Sequence, residues 1–142
     1  MSETRPPRRV LRSIGAVFAG LLAVFILSLG TDVVLHAFGL FPPWGQPMAG
    51  ALFLLATAYR SVYAVAGSYI AARLAPDRPT QHALALGVVG LVLSTVGAVA
   101  TWNKGPAFGP RWYPLSLIAS ALPCAWAGGK LAAGQRPARP AP

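Results

Sequence analysis

Residues 14–30 read IGAVFAGLLAVFILSLG, an apolar run without a single charged side chain. A helix needs about 20 predominantly apolar residues to cross the hydrocarbon core of a bilayer. The next residues, TDVVLHAF, extend the run to Phe38, so the whole segment is long enough to span a membrane with some tilt. Because the run is long and no A-x-A cleavage site follows it closely, it predicts an uncleaved first helix and not a signal peptide.

Three more apolar runs follow, separated by short segments rich in proline, glycine or charge. These segments are GLFPPWGQP, APDRPTQ and NKGPAFGPR, which have the composition of turns and leave no room for a soluble catalytic domain. The sequence therefore predicts an all-α membrane protein, a four-transmembrane-helix bundle over residues 13–131. Its spans cover about 13–38, 48–74, 82–102 and 112–131, with a kink at Pro123.

Composition supports a membrane protein. The chain of 142 residues is 55% hydrophobic and only 11% charged, whereas soluble domains carry roughly 25% charged residues. A net charge of +9 would indicate nucleic acid in a soluble protein. Here the basic residues flank apolar runs, so we expect the chain to bind the lipid bilayer and not nucleic acid. The single cysteine, Cys124, excludes an internal disulfide.

The basic residues predict the orientation. Nine lie on the side with both chain ends, two lie on the other side, and Arg60 lies within a span. Since cytoplasmic flanks are enriched in Lys and Arg, both termini are predicted to be cytoplasmic. Residues 1–12 then form a mobile basic tail and residues 132–142 a Pro-rich tail.

The two outer loops contribute a belt of aromatic and basic side chains. Such a belt is typical of anchoring at the membrane interface, although it could also hold anionic lipid heads or a periplasmic partner. Its members are Trp44, Trp102, Lys104, Arg111 and Trp112.

Small residues recur at helical spacing on the spans. Span three, for example, has Gly87, Gly90, Ser94 and Gly97. Because lipid gives helices no hydrophobic reason to associate, close backbone approach through small residues must hold them together. The pattern predicts a compact bundle.

Polar residues of the first span share one helical face. Ser28, Asp32 and His36 are spaced four residues apart, which stacks them along a helix. Arg60 lies in the second span, and an intramembrane charge costs about 2.5–3.5 kcal/mol and normally faces a partner in the protein interior. Asp32 and Arg60 are the only plausible pair of opposite sign within the spans, so they are predicted to pair.

Helix geometry favours this pairing. With a rise of about 1.5 Å per residue, Asp32 lies roughly 9 Å and Arg60 roughly 16 Å from the outer ends of their helices. Side chains lean toward the N-terminus of their own helix. The two spans run in opposite directions, so the carboxylate leans toward the midplane and the guanidinium leans outward to meet it.

Two tyrosines and a histidine complete the predicted polar cluster. Tyr59 and Tyr63 neighbour Arg60 and could donate to the same carboxylate, and His36 could hydrogen-bond near the outer mouth. Three interpretations are open. The pair locks two helices together; it forms a site for a proton, an ion or a polar ligand; or Asp32 is simply exposed to interfacial water.

The residues give little support to cofactor or catalytic chemistry. His36 and His82 are predicted at opposite faces of a bilayer about 30 Å thick, so one haem iron cannot bind both. Asp32 and His36 would supply two zinc ligands where three or four are needed. Ser28 and His36 lie about 12 Å apart along one helix, too far for a nucleophile and its base. We therefore expect no cofactor, no metal and no catalytic residue.

Much of the chain resembles a group of small bacterial proteins with four membrane spans and no assigned function. The resemblance is found in the stretches GTDVVLHAFGLFPPWGQP, LATAYRSVYAVAGSYIAARLAP, LALGVVGLVLSTVGAVATWNKGP and WYPLSLIASALPCAWAGGKL. It implies location in a bacterial inner membrane and nothing catalytic.

Three functions are compatible with these features. The first is a non-enzymatic accessory or structural subunit that binds another membrane protein or a second copy of itself. The second is a dimeric small transporter or proton-coupled channel that uses Asp32, Arg60 and Tyr63. The third is a membrane enzyme acting on a lipid or a quinone through His36 and Asp32.

The predicted topology can be tested with reporter fusions. A reporter fused at Pro142 should be active in the cytoplasm, and one fused at Gly105 should be active in the periplasm, because of the nine-to-two bias in basic residues. The opposite result at either position would contradict the predicted number of spans.

Overall fold

The computed structural model describes residues 7–138. Within that range the chain forms four α-helices and no strand. A single 3₁₀ turn, Pro106–Phe108, lies in the loop that precedes the last helix. The helices are α1 (Pro7–Ala37), α2 (Gly50–Leu74), α3 (Pro79–Thr101) and α4 (Trp112–Gly134).

Each of the four helices is long and apolar enough to cross a membrane, judged by length and composition. The helices pack together, which confirms the prediction of an all-α, four-helix bundle of membrane-spanning type. Because the number of helices is even, residues 7 and 138 lie at the same end of the bundle. We call this end, which contains most of the basic residues, the basic end. The opposite end, with the loops of Trp44, Trp102 and Trp112, is the aromatic end.

The helix boundaries differ from the prediction mainly at the start of the chain. Helix α1 begins at Pro7 and not at Ser13, so residues 7–12 are helical where a mobile tail was predicted. Proline is favoured in the first turn because its fixed φ suits a helix and its missing N–H needs no partner there. Residues 8–12, Arg-Arg-Val-Leu-Arg, contain no proline or glycine and continue the helix. Residues 1–6 lie outside the described part of the chain.

The end of the chain also departs from the predicted tail. Helix α4 passes through Pro123 and continues to Gly134. Beyond it, the guanidinium of Arg136 donates to the carbonyl oxygens of Ala72 and Ala75, at 2.6 and 2.8 Å. These carbonyls belong to the last turn of α2 and its C-cap, where backbone oxygens lack helical partners and a cation is favourable. The segment up to Arg136 is therefore bound to the bundle, and residues 139–142 lie outside the described range.

The interior of the bundle consists mostly of alanine and glycine. Nine of the twelve buried hydrophobic residues in the described chain are alanines, while large aliphatic side chains such as Leu11, Ile14 and Val99 are exposed. In water this arrangement would leave a large apolar surface unsatisfied. In a bilayer it places the large side chains against lipid and the small ones where helices touch.

The closest helix contacts involve glycine and lie toward the basic end. A Cβ placed on Gly67 would lie 2.7 Å from the carbonyl oxygen of Gly20, so α1 and α2 are in backbone contact there. A Cβ on Gly128 would meet the Cβ of Ser68 at 2.8 Å, and one on Gly87 would meet Ala125 at 2.5 Å. These contacts close the bundle at its basic half.

Two glycines of α3 nearer the aromatic end make no such contact. A Cβ on Gly90 or Gly97 of α3 would meet no atom within 4 Å. Helix α1 packs mainly on α2 and only slightly on α3, whereas α4 packs extensively on both α2 and α3. The bundle therefore has its closest contacts in the basic half and little contact between α1 and α3.

The glycine contact between α1 and α2 predicts a difference between two glycine substitutions. Gly67→Ala should lower stability by about 1–3 kcal/mol because the methyl group must displace backbone. Gly97→Ala should be neutral or stabilising by up to about 1 kcal/mol, since the site is open and alanine favours a helix. Thermal unfolding in detergent would measure both, and equal melting temperatures for the two variants would contradict the proposed contact.

Candidate functional site

The site begins on the inward face of α1. Ser28 and Asp32, one helical turn apart, are 6% and 7% exposed, while neighbouring Leu29 and Val33 are more than half exposed. One face of α1 is therefore polar and points into the protein, and the adjacent face is apolar and points outward. The prediction that Asp32 is simply exposed to interfacial water does not fit this burial.

Asp32 and Arg60 form the predicted salt bridge. The Arg60 Nη2 atom lies 2.5 Å from Asp32 Oδ2. Tyr59, the residue before Arg60 on α2, donates its hydroxyl proton to the other carboxylate oxygen, Oδ1. Both oxygens of the carboxylate thus have a donor from α2. The negative charge is compensated inside the spans, as its position requires.

Arg60 lacks a hydrogen-bond partner in the described part of the chain for one of its nitrogens, whereas both carboxylate oxygens of Asp32 have a donor. Its guanidinium lies over the Tyr59 ring, 6.0 Å from the centroid. About a third of its side chain, 32%, is accessible, against 10% for Asp32. Its Nε is the one buried side-chain nitrogen or oxygen without a hydrogen-bond partner in residues 7–138. An arginine has five N–H donors and no acceptor, so this unpaired N–H is a cost that the ion pair has to offset.

Tyr63 has a different partner from the one predicted. Its hydroxyl lies 2.7 Å from Thr31 Oγ1. The Thr31 hydroxyl itself donates to the backbone oxygen of Leu27, at 2.7 Å, so its single proton is used and Tyr63 is the donor. Tyr63 therefore bonds to the neighbour of Asp32 and not to the carboxylate. It forms a second polar link between α1 and α2.

His36 is held at the aromatic end by its own helix and by the following loop. Its Nδ1 lies 2.7 Å from the backbone oxygen of Asp32, so this nitrogen carries the proton and donates. The imidazole stacks on Trp44 with centroids 3.6 Å apart and meets Phe41 edge-on at 5.3 Å. His36 thus packs the loop against α1 and does not touch the Asp32 carboxylate.

The basic residues of the other loop also contact aromatic rings. The Arg111 guanidinium lies 5.1 Å from the Trp102 ring centroid, and the Lys104 ammonium lies 5.8 Å from that of Phe108. Trp112 meets Tyr113 edge-on at 6.3 Å. These contacts keep both cations at the aromatic end. They fit the predicted belt of aromatic and basic side chains.

A cavity of about 160 Å³ leads from the aromatic end to the salt bridge. Asp32, His36, Tyr59 and Arg60 all line it, as does Tyr113 of α4. Tyr113 is not among the residues that the sequence assigned to the polar cluster. It is far from Asp32 and Arg60 in sequence, and the packing of α4 on α2 brings it to the cavity.

The polar cluster offers limited chemistry by itself. Within residues 7–138, no three His, Cys, Asp or Glu side chains come close enough to share a metal ion. His36 and His82 lie at opposite ends of the bundle, near the end of α1 and the start of α3. What the cluster offers is a compensated ion pair that lines a cavity.

Comparison of this chain with protein-family models, with curated proteins and with solved structures finds no match. The resemblance to small bacterial four-span proteins therefore stays a prediction. The site has to be interpreted from its own geometry.

The salt bridge predicts strong coupling between two substitutions. Asp32→Asn and Arg60→Leu should each lower stability by about 3–5 kcal/mol, because the remaining charged or polar group loses its buried partner. The double variant Asp32→Leu, Arg60→Leu should recover part of that loss. The single variant Asp32→Leu is measured as well, so that the two single variants and the double variant form a double-mutant cycle. Thermal unfolding in detergent gives the coupling energy, and additive losses would show that the two residues do not interact.

Proposed function

We propose that this chain is a non-enzymatic accessory or structural subunit of a bacterial inner membrane, in which the Asp32–Arg60 pair locks α1 to α2. The observation that carries the proposal is the complete occupation of the carboxylate. Arg60 donates to Oδ2 and Tyr59 to Oδ1. Because each oxygen already accepts from a donor of α2, a transported cation or proton at Asp32 would have to compete with Arg60 and Tyr59 for the carboxylate.

The position of α1 supports a role beside another membrane protein or a second copy of the chain. Helix α1 packs mainly on α2, and much of its apolar surface is uncovered. Phe18, Leu22 and Ile26, spaced four residues apart, are between 46% and 62% exposed on this helix. Lipid or the helix of a partner would cover them in the membrane.

One observation favours the second candidate, a small transporter or proton-coupled channel. Arg60 lines two cavities, the one at the aromatic end and another in the middle of the bundle. In a transporter the salt bridge would have to open so that the two cavities join. An enzyme acting on lipid or quinone has weaker support, because His36 is stacked on Trp44 and bonded to its own helix.

Proton and ion flux in proteoliposomes distinguishes these candidates. The wild-type protein is reconstituted with a pH-sensitive dye inside the vesicles, and a pH gradient and a potassium diffusion potential are applied separately. For a structural lock we expect flux no faster than in protein-free vesicles. A protonophore added at the end shows that the gradient was intact.

Asp32→Asn provides the matched control, because it removes the charge and keeps the shape of the side chain. Flux in the wild type that disappears in Asp32→Asn would overturn the accessory role and favour the transporter. Flux that is equal in both proteins would indicate a leak through the vesicles.

A further inference from the structure

The second cavity, which we call the central cavity, has a volume of about 200 Å³ and lies between all four helices. Its wall is mainly aliphatic. Each helix also contributes one serine to it, and α2 contributes Arg60. The serines are Ser28, Ser68, Ser94 and Ser120. A mostly apolar cavity with a few polar groups is the usual form of a small-molecule site.

The central cavity reaches the lipid-facing surface between α1 and α3. Phe25 of α1 and Leu93 of α3 both line it, and both are 45% exposed. Gly90, which also lines it, faces open space. Since α1 and α3 touch only slightly, the gap between them opens at the depth of the hydrocarbon core. A molecule dissolved in the bilayer has direct access to it.

Arg60 gives this cavity a specific polar requirement. Its side chain lines the central cavity and is about a third accessible. The guanidinium has further N–H donors besides the Nη2 that binds Asp32. Such a donor is stabilised by an acceptor inside the membrane, so a molecule that supplies an acceptor in the cavity is favoured by that contact. The arginine cannot accept a hydrogen bond, which means that the ligand must supply the oxygen.

The charge of the site selects a neutral acceptor. Asp32 already balances Arg60, so an anionic ligand would add an uncompensated charge inside the membrane, which is costly. A carbonyl oxygen accepts a hydrogen bond without that cost. An aliphatic chain attached to it would lie against the wall of the cavity and pass out between Phe25 and Leu93.

We propose that the central cavity binds a neutral, membrane-dissolved molecule through a carbonyl group that accepts a hydrogen bond from the Arg60 side chain. Acyl esters and isoprenoid quinones share this chemistry, a carbonyl with a long hydrocarbon chain. The molecule enters laterally between α1 and α3. This site does not depend on the accessory role, since a structural subunit and a transporter could both contain it.

Two glycines of α3 provide a matched pair of variants. Gly90→Leu fills the central cavity, whereas Gly97→Leu adds the same side chain at an equally open position that lines neither cavity. The purified protein is equilibrated in detergent with radiolabelled methyl palmitate, decylubiquinone or hexadecane. Gel filtration in buffer containing the same probe then gives the amount bound per chain, and Gly90→Leu serves as the blank for partition into the micelle.

We expect about one carbonyl probe per wild-type chain, the same for Gly97→Leu, and at least a tenfold weaker affinity for Gly90→Leu. Hexadecane, which lacks the acceptor, should bind about two- to tenfold more weakly than its ester. Arg60→Lys keeps the charge beside Asp32 but lacks the additional N–H donors of the guanidinium, so it should reduce binding of the ester to that of hexadecane. The probe that binds more tightly, methyl palmitate or decylubiquinone, shows whether the carbonyl belongs to an acyl ester or to a quinone.

Either of two results would overturn the proposal. Equal binding to wild type and Gly90→Leu would show that the probes do not occupy the central cavity. Equal affinity for hexadecane and both carbonyl probes would show that Arg60 does not select an acceptor. Thermal unfolding of the variants checks that they are folded, and Ser94→Leu, which fills the same cavity from another position, replaces Gly90→Leu if that variant is unstable.

Discussion

Close backbone approach is the constraint on which the rest of this bundle depends. Lipid is as apolar as the helices, so association has to come from packing and polar links. Gly20 and Gly67 bring α1 against α2, and Gly128 brings α4 against the same helix. These contacts set the spacing at the basic end. The large side chains excluded from the interior then face the bilayer.

The polar links between helices lie at a different level of the bundle from the glycine contacts. Between α1 and α2, the glycine contact lies toward the basic end, and the bonds of Asp32 and Thr31 lie toward the aromatic end. Helix α1 is therefore attached to α2 at two levels by two different interactions. This attachment leaves α1 free of α3 over part of its length, and the central cavity occupies the space between them.

The sequence predicted those features that depend on composition along a single helix. Four uninterrupted apolar runs defined the four spans, and the scarcity of acidic residues left Asp32 as the one plausible partner for Arg60. Tyr63 was assigned to the wrong acceptor because Thr31 and Asp32 are adjacent in sequence, and only the rotation of α1 decides which of them faces Tyr63. The extended start of α1 was missed because arginines were interpreted as a tail, although they are good helix formers.

Other features depend on how helices are arranged relative to one another. The central cavity exists because α1 and α3 diverge, and no pattern in either helix specifies that angle. The contact of Arg136 with Ala72 and Ala75 joins residues more than 60 positions apart, at an end predicted to be a free tail. Tyr113 reaches the cavity beside the ion pair only because α4 packs on α2.

The ion pair also has a consequence for how the chain enters the membrane during synthesis. Asp32 and Arg60 lie on consecutive helices, 28 residues apart in sequence. A hairpin of α1 and α2 therefore contains both charges and can neutralise them before α3 and α4 have left the ribosome. The hairpin of α1 and α2 would then be the first inserted unit, with its charges paired before α3 and α4 pack against it.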